Sequence, residues 1–452
     1  MLHKGIYAAA VSVRGEQSVF ARLKRLRALQ YSPPAVVRHH QEELLSDLLR
    51  HALTGVPRFR SMRRWASDVE PGNARAVLAE LPVAEKEEVQ REPEFFWSTN
   101  WSGRYATKTT GGSTGRPVSI RKNSAAIAQE MAATWLAYEW FGIQPGDRCI
   151  RFWGQPQKNW RRRLRYMAAD VAVNRRTLSA FGYDNDKLDA YVRFIATKRP
   201  RYLYGYVSAL DDLAWYVLNH QLQPPDSIVS VVTTSEVLTS PQRNRIRTAF
   251  RSAVQNEYGC GEVGPIAYEC PVGSLHLLPT NQIVEIVDAN GNPVGPGEWG
   301  SVLITDLTNF AMPLIRYRVG DNAVVGRACA CGRSFPVIQE VLGRAYDYVE
   351  APGGRRYHGE FFMYVFEDLR GVAPGIHQFQ VVQTASLELE VRVTSDGATI
   401  SQVEKELVRR ELNKRLPGFS IRVTVVDRLE RRPSGKMMVV ENRVTSRSTA
   451  PA

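Results

Sequence analysis

Thr109-Thr110-Gly111-Gly112-Ser113-Thr114-Gly115-Arg116-Pro117 is the stretch on which the reading of this chain turns. Its glycines let the backbone approach an anion closely, and its hydroxyls can donate hydrogen bonds to phosphate oxygens. It is not a Walker A loop, because no Gly-Lys-Ser/Thr ending follows. Taken alone, the same residues also fit a plain polar loop. The flanking sequence sets the architecture around it. An alanine-rich stretch predicts a helix over 124–140 that closes near Gly142. The β-branched run 229–234 reads as a buried strand, and the alternation of strands and helices across 105–260 predicts α/β layers.

Farther out, Leu44, Leu45, Leu48, Leu49 and Leu53 recur at helical spacing, predicting a helix within 38–66, with Arg58, Arg60, Arg63 and Arg64 beyond them. From 275 to 350 the pattern changes to short strands and turns, as in 283–288 followed by Asn290-Gly291-Asn292-Pro293. After 350, alternating strands at 379–382 and 387–393, a charged helix at 401–415 and a strand at 420–426 predict a smaller α+β unit. The expected fold class is α/β. A large domain over 1–342, built of layered subdomains with a β-rich part, precedes a small mobile α+β domain over 343–452, with a hinge near 343–347.

At 452 residues the chain is long enough for two or three domains, with 44% hydrophobic and 23% charged residues, ordinary for a soluble protein. No window holds 18 consecutive apolar residues, so no membrane span is expected. Lys4 and the apolar run 5–13 imitate a weak signal peptide, but Arg14 and Glu16 follow at once, and the segment reads as an N-terminal arm. The net charge of +13 attracts polyanions. The interleaved Arg151-Phe152-Trp153-Gly154 and Lys158-Asn159-Trp160-Arg161-Arg162-Arg163-Leu164-Arg165-Tyr166 fit a nucleic acid, an acidic carrier protein or coenzyme A phosphates, and equally a solvated helix face.

Four further motifs carry chemistry. In Asn256-Glu257-Tyr258-Gly259-Cys260-Gly261-Glu262, a ring can stack on a base and a carboxylate can hold magnesium. Gly259, Gly261 and Gly264 also spell a dinucleotide fingerprint, but Pro265 follows where a helix should open, so that reading is rejected. Arg316-Tyr317-Arg318-Val319-Gly320-Asp321 presents an acidic side chain suited to ribose hydroxyls. Gly343-Arg344-Ala345-Tyr346-Asp347 and Arg432-Pro433-Ser434-Gly435-Lys436 complete the series.

In this order the five motifs resemble the core motifs of the adenylate-forming superfamily, which includes acyl-CoA synthetases, luciferases and peptide-synthetase adenylation domains. Within it the chain resembles the phenylacetate–CoA ligase branch and CapK-like proteins, over roughly 40–445. Tyr204-Gly205-Tyr206-Val207-Ser208-Ala209-Leu210 and Thr233-Thr234-Ser235-Glu236-Val237 look like two more family signatures. The resemblance implies that Thr109, Thr110, Gly111 and Gly112 shape the phosphate loop while Ser113, Thr114 and Gly115 grip the β- and γ-phosphates. Tyr258, with Gly259 beside it, would stack on adenine, and the backbone at Ser235 and Glu236 would read the ring edge. Glu262 would hold Mg2+, Asp321 the ribose, Arg344 the nucleotide near the hinge, and Lys436 the carboxylate and α-phosphate. The hinge motif departs from the family pattern at Tyr346, which stands where an aspartate is usual.

The five cysteines (149, 260, 270, 329 and 331) are an odd number that argues against a disulfide framework. Cys270, His276, Cys329 and Cys331 form a Cys₃His set suited to a structural zinc, against the alternative of buried thiols and a core histidine. The function expected is ATP-dependent activation of a carboxylic acid, aromatic or small, to an acyl-adenylate, with transfer to coenzyme A or an acidic acyl-carrier protein. Amide synthesis, a catalytically weak nucleotide-binding regulator and a nucleic-acid binder are the other readings. The implied setting is cytoplasmic, and homodimers occur among relatives.

Overall fold

A computed structural model gives the architecture, and it describes residue 7 and residues 18–110, 118–154, 160–180, 185–344, 348–351, 356–369, 372–395, 399–430 and 438–444. The chain divides into two compact units, one comprising residues 1–238 and 244–341, the other 239–243 and 342–452.

The first unit begins with helices α1 (Val19–Leu29), α2 (Pro34–Gly55), α3 (Ala74–Glu80) and α4 (Lys86–Arg91). The helix expected over 38–66 is thus shorter. Val56 is extended (φ −98°, ψ 124°) ahead of Pro57, and the chain continues as a 3-10 helix over Pro57–Ser67. A residue before proline is pushed out of the helical region, which ends α2 there.

Next comes an antiparallel hairpin of β1 (Tyr105–Thr110) and β2 (Val118–Asn123), joined through the glycine-rich residues 111–117. Helix α5 (Ser124–Glu139) follows directly. Asn123 caps it by accepting a hydrogen bond from the Ala126 amide at 3.0 Å, and Gly142 takes the left-handed conformation (φ 76°) after its end. The remaining elements are β3 (Cys149–Phe152), α6 (Trp160–Ala172), β4 (Arg175–Leu178), α7 (Asn185–Lys198), β5 (Tyr202–Tyr206), α8 (Val207–Asn219), β6 (Ser230–Thr234), α9 (Ser240–Phe250), β7 (Ala253–Cys260), β8 (Gly264–Glu269), β9 (Leu275–Leu277), β10 (Gln282–Val287), β11 (Trp299–Asp306), β12 (Tyr317–Val325) and β13 (Val337–Arg344).

Strands β3 to β13 form one eleven-stranded sheet in the order β10-β11-β12-β13-β9-β8-β7-β6-β5-β3-β4. Strands β4, β3, β5, β6 and β7 run parallel, and from β7 onward the β8 and β9 pairings are antiparallel. The parallel half is buried on both faces. Ile150, Leu203 and Val231 point into one core with α7 and α8, while their neighbours Cys149, Tyr202 and Val232 point into another with α1 and α5. The α/β expectation therefore holds, with the β-rich part in the antiparallel half.

The second unit carries β14 (Tyr348–Glu350), β15 (Arg356–His358), α10 (Gly359–Leu369), β16 (Gln378–Ala385), β17 (Glu388–Thr394), α11 (Gln402–Arg415), β18 (Ser420–Val425) and β19 (Val440–Asn442). Four of its strands form a sheet in the order β18-β17-β16-β19. Helix α11 starts at a reciprocal capping box between Ser401 and Glu404, and it buries Val408 and Leu412 against that sheet's core. Among the described residues no helix is long and apolar enough to cross a membrane.

Candidate functional site

In open α/β sheets, ligands bind beyond the carboxyl ends of the parallel strands. Here those ends carry Trp153 after β3, Tyr206 on β5, Ser235 after β6, and Tyr258, Gly259 and Glu262 on and after β7. Trp153 lies flat against Tyr206, with ring centroids 4.5 Å apart, and stacks on Tyr204 as well. Ser235 adopts φ 72°, a left-handed conformation unusual for a residue with a Cβ. Glu236 turns its carboxylate to the start of α8, accepting from the Ser208 amide at 2.6 Å and the Ser208 hydroxyl at 3.1 Å. Its side chain caps that helix, which leaves the backbone of Ser235–Glu236 as the part that can face a ligand.

Strand β7 turns straight back into β8 as an antiparallel hairpin, so no helix follows Gly259-Cys260-Gly261 and the dinucleotide reading fails on its geometry. The glycine at 259 is needed for another reason: a Cβ there would stand 2.7 Å from the Gly264 carbonyl oxygen. The buried Tyr258 donates its hydroxyl to Asp321 Oδ2 at 3.0 Å. Two motifs 63 residues apart in sequence are thereby joined.

Glu262 is buried and ion-paired with Lys86 at 3.0 Å, with the Tyr317 hydroxyl 3.5 Å away. Burial pushes its carboxyl up, but the Lys86 ammonium, together with hydrogen bonds from the Glu262 amide and Cys260, outweighs that and holds it below the usual value. Sequence reading missed Lys86. What places it is local pairing at the edge of β12: the Ala84 amide donates to the Arg316 carbonyl at 3.1 Å, and the Arg318 amide donates to the Ala84 carbonyl at 3.0 Å. Arg316 adds donations to the carbonyls of Ala79 (2.7 Å) and Leu81 (3.0 Å). The only clue in the sequence is a lysine among the glutamates of Glu85-Lys86-Glu87-Glu88.

Thr109 and Thr110 end β1, opposite Ser119 and Val118, and Arg344 ends β13. The side chains of these three residues lie outside the description. Gly111, Gly112, Ser113, Thr114, Gly115, Tyr346, Asp347 and Lys436 lie outside the described residues altogether.

The Cys₃His set converges. The ligand atoms of Cys270, His276, Cys329 and Cys331 all lie within 4.8 Å of one another. Strand β9 pairs His276 with Tyr268 on one side and Val337 on the other. It therefore brings Cys270, just after β8, toward the loop ahead of β13 that holds Cys329 and Cys331. Cys270 Sγ and Cys329 Sγ are 3.7 Å apart, and Cys331 Sγ is 3.2 Å from His276 Nε2. A tetrahedral ion with metal–sulfur bonds near 2.3 Å sets sulfur–sulfur edges of ~3.8 Å, so these residues fit such an ion. His276 Nδ1 lies 2.9 Å from the Phe335 carbonyl, and a donation there leaves Nε2 as the ligand atom. Burial lowers the imidazole's pKa, with partial opposition from that carbonyl, which favours the neutral ring a metal requires. Burial also pushes the Cys270 thiol up to about 11, so a cation is what would hold it as thiolate.

No family model matches the chain. Among curated proteins it is similar to Protein CapK of Staphylococcus aureus, 21% identical over 279 residues that span 61% of each chain. It is also similar to phenylacetate-coenzyme A ligase of Thermus thermophilus, 26% identical over 342 residues, 73% of this chain and 75% of that protein. Among solved structures, 2-hydroxyisobutyryl-CoA ligase in the postadenylation state, in complex with R3-HIB-AMP, superposes with a TM-score of 0.68 at 18% identity, over 90% of both chains. The fold is shared with that ligase. The curated relatives carry the names of the branch that the sequence motifs resemble.

Proposed function

We propose that this protein uses ATP to activate a carboxylic acid as its acyl-adenylate and then passes the acyl group to the thiol of coenzyme A. One observation carries the reading: the Tyr258–Asp321 hydrogen bond and the Glu262–Lys86 ion pair stand together at the carboxyl end of β7, in a fold shared with a ligase solved with an acyl-AMP. Curated relatives named phenylacetate-coenzyme A ligase point to a compact acid and to coenzyme A.

In this reading Tyr258 supports the adenine and, through its hydroxyl, fixes Asp321 for the ribose. Glu262 would hold Mg2+, whose charge offsets that of the phosphates. Lys86, beside it, supplies a cation for a phosphate oxygen when the carboxylate is engaged elsewhere. A carboxylate attacking an α-phosphate brings two anions together, so fixed positive charge lowers the barrier. Ser113, Thr114 and Gly115 take the β- and γ-phosphates, and the backbone of Ser235 and Glu236 reads the ring edge. Arg344 and Lys436, the latter from the smaller C-terminal domain, complete the site. The hinge near 343–347 would allow Lys436 to withdraw before the thiol attacks. Cys270, His276, Cys329 and Cys331 hold a structural zinc in the same reading.

The test is acid-dependent pyrophosphate release from MgATP across aromatic, aliphatic and amino acids, with Lys436→Ala as control, followed by addition of coenzyme A, a carrier protein or an amine. Release should require one acid and fall roughly 10²–10³-fold in the variant. Nucleotide binding without turnover on any acid would replace the ligase by a nucleotide-binding regulator.

A further inference from the structure

A second charged cluster lies directly behind the Glu262 turn. Lys122 on β2 has no exposed surface, yet its ammonium pairs with Glu130 of α5 and with Asp306 Oδ2 at 3.4 Å, and donates to the Val263 carbonyl at 2.9 Å. Glu130 pairs through its other oxygen with Lys108 of β1, at 2.9 Å. Asp306 is held in turn by the amide and hydroxyl of Thr308, at 3.0 and 2.8 Å. Glu130 as placed packs against a glycine with φ 86°: a Cβ at residue 264 would lie 2.4 Å from Glu130 Oε1.

Burial opposes the charge on Lys122, but Glu130 and Asp306 outweigh it and keep the ammonium protonated. Removing such a set of charges from water costs several kcal/mol, and well-packed apolar residues often do as well for stability. What apolar residues cannot do is tie five backbone segments together in one direction. Here one carboxylate holds both strands of the β1–β2 hairpin, and the lysine it pairs with grips the carbonyl next to Glu262.

We infer that Glu130 and Lys122 are positioning residues, a clasp that fixes the Glu262 carboxylate relative to the β1–β2 hairpin and so sets the affinity for metal-bound nucleotide. The inference rests on the proposed role of Glu262. It requires no contact between the clasp and the ligand. Lys108 is its outer arm and, being more than one-third exposed, can be removed at little cost to the fold.

The experiment measures binding by the full chain of Mn2+–ATP, by electron paramagnetic resonance of the metal, and of metal-free AMP, by calorimetry. It uses wild type, Glu130→Gln, Lys108→Ala and Lys108→Arg. Glu130→Gln should weaken Mn2+–ATP about tenfold and Lys108→Ala about threefold, with Lys108→Arg near wild type and AMP affinity unchanged throughout. If Glu130→Gln does not fold, the Lys108 pair carries the same comparison. Equal losses for AMP and Mn2+–ATP, or no loss in any folded variant, would overturn the clasp while leaving the nucleotide reading intact. A wild type that binds neither ligand would overturn both.

Discussion

On one side of β8 and β9, four ligand atoms from three chain segments crowd within 4.8 Å of each other. Around the carboxyl end of β7, Tyr258, Asp321, Glu262 and Lys86 are instead held in pairs, each member supplied by a different element. The first arrangement would be closed in the zinc reading: protein would fill all four positions of a tetrahedral ion, and His276 is further locked by the Phe335 carbonyl. The second, in the proposed reading, is open to a ligand, and its charges are paired with one another. A closed site contributes to folding. An open one trades some stability for binding, so the two should fail differently when perturbed.

The largest effect is expected at the closed site. Purified protein should carry close to one equivalent of zinc, and Cys329→Ser or a strong chelator should lower the melting midpoint by roughly 10 °C, reflecting a loss of several kcal/mol. Metal content below about a tenth of an equivalent, with an unchanged midpoint, would dissolve the contrast.

Glu262→Gln tests the other side. It should lower kcat/KM about 100-fold, near 2.7 kcal/mol, and move the midpoint far less than Cys329→Ser does. A large stability loss with little kinetic loss would make the Glu262–Lys86 pair a structural one. Tyr258→Phe is subtler. It removes one donor from Asp321 and should raise the KM for ATP about fivefold, near 1 kcal/mol, with kcat almost unchanged.

The two regions also differed in how far the sequence exposed them. Cysteines and a histidine declare their chemistry by residue type, so Cys270, His276, Cys329 and Cys331 could be grouped before any geometry was known. Tyr258, Glu262 and Asp321 were legible only through their order along the chain, which matches a family pattern. Lys122 and Glu130 were not legible at all, and Lys86 showed only as a lysine among glutamates. A buried ion pair is written in contacts between distant residues, here Lys86 with Glu262, and no periodicity marks it. The same limit applied to α2: its leucines announced a helix, but the extended Val56 ahead of Pro57 decided where it ended.

Glu257 offers the finest test of the comparison, because it lies next to Tyr258 on β7 yet is half-buried among hydroxyl donors. Its carboxylate accepts from the hydroxyls of Thr234 at 3.1 Å, Tyr204 at 3.2 Å and Tyr138 at 3.5 Å. Burial raises its pKa above the ordinary 4.5, and the hydroxyl donors offset only part of that. The sign follows by linkage. Above pH 4.5 the unfolded chain releases this proton more readily than the folded one. Glu257 therefore costs stability progressively as pH rises from there to its folded value, and the cost is constant beyond it. Glu257→Gln keeps an acceptor and removes the titration. Urea unfolding at pH 5 and pH 8 should then show the variant gaining on wild type at the higher pH. A difference that stays flat, or that narrows with pH, would mean the carboxylate is stabilised as an anion. Glu257 would then belong with Glu262 among the charges held ready for a ligand, and the line between interior and site would run one residue earlier along β7.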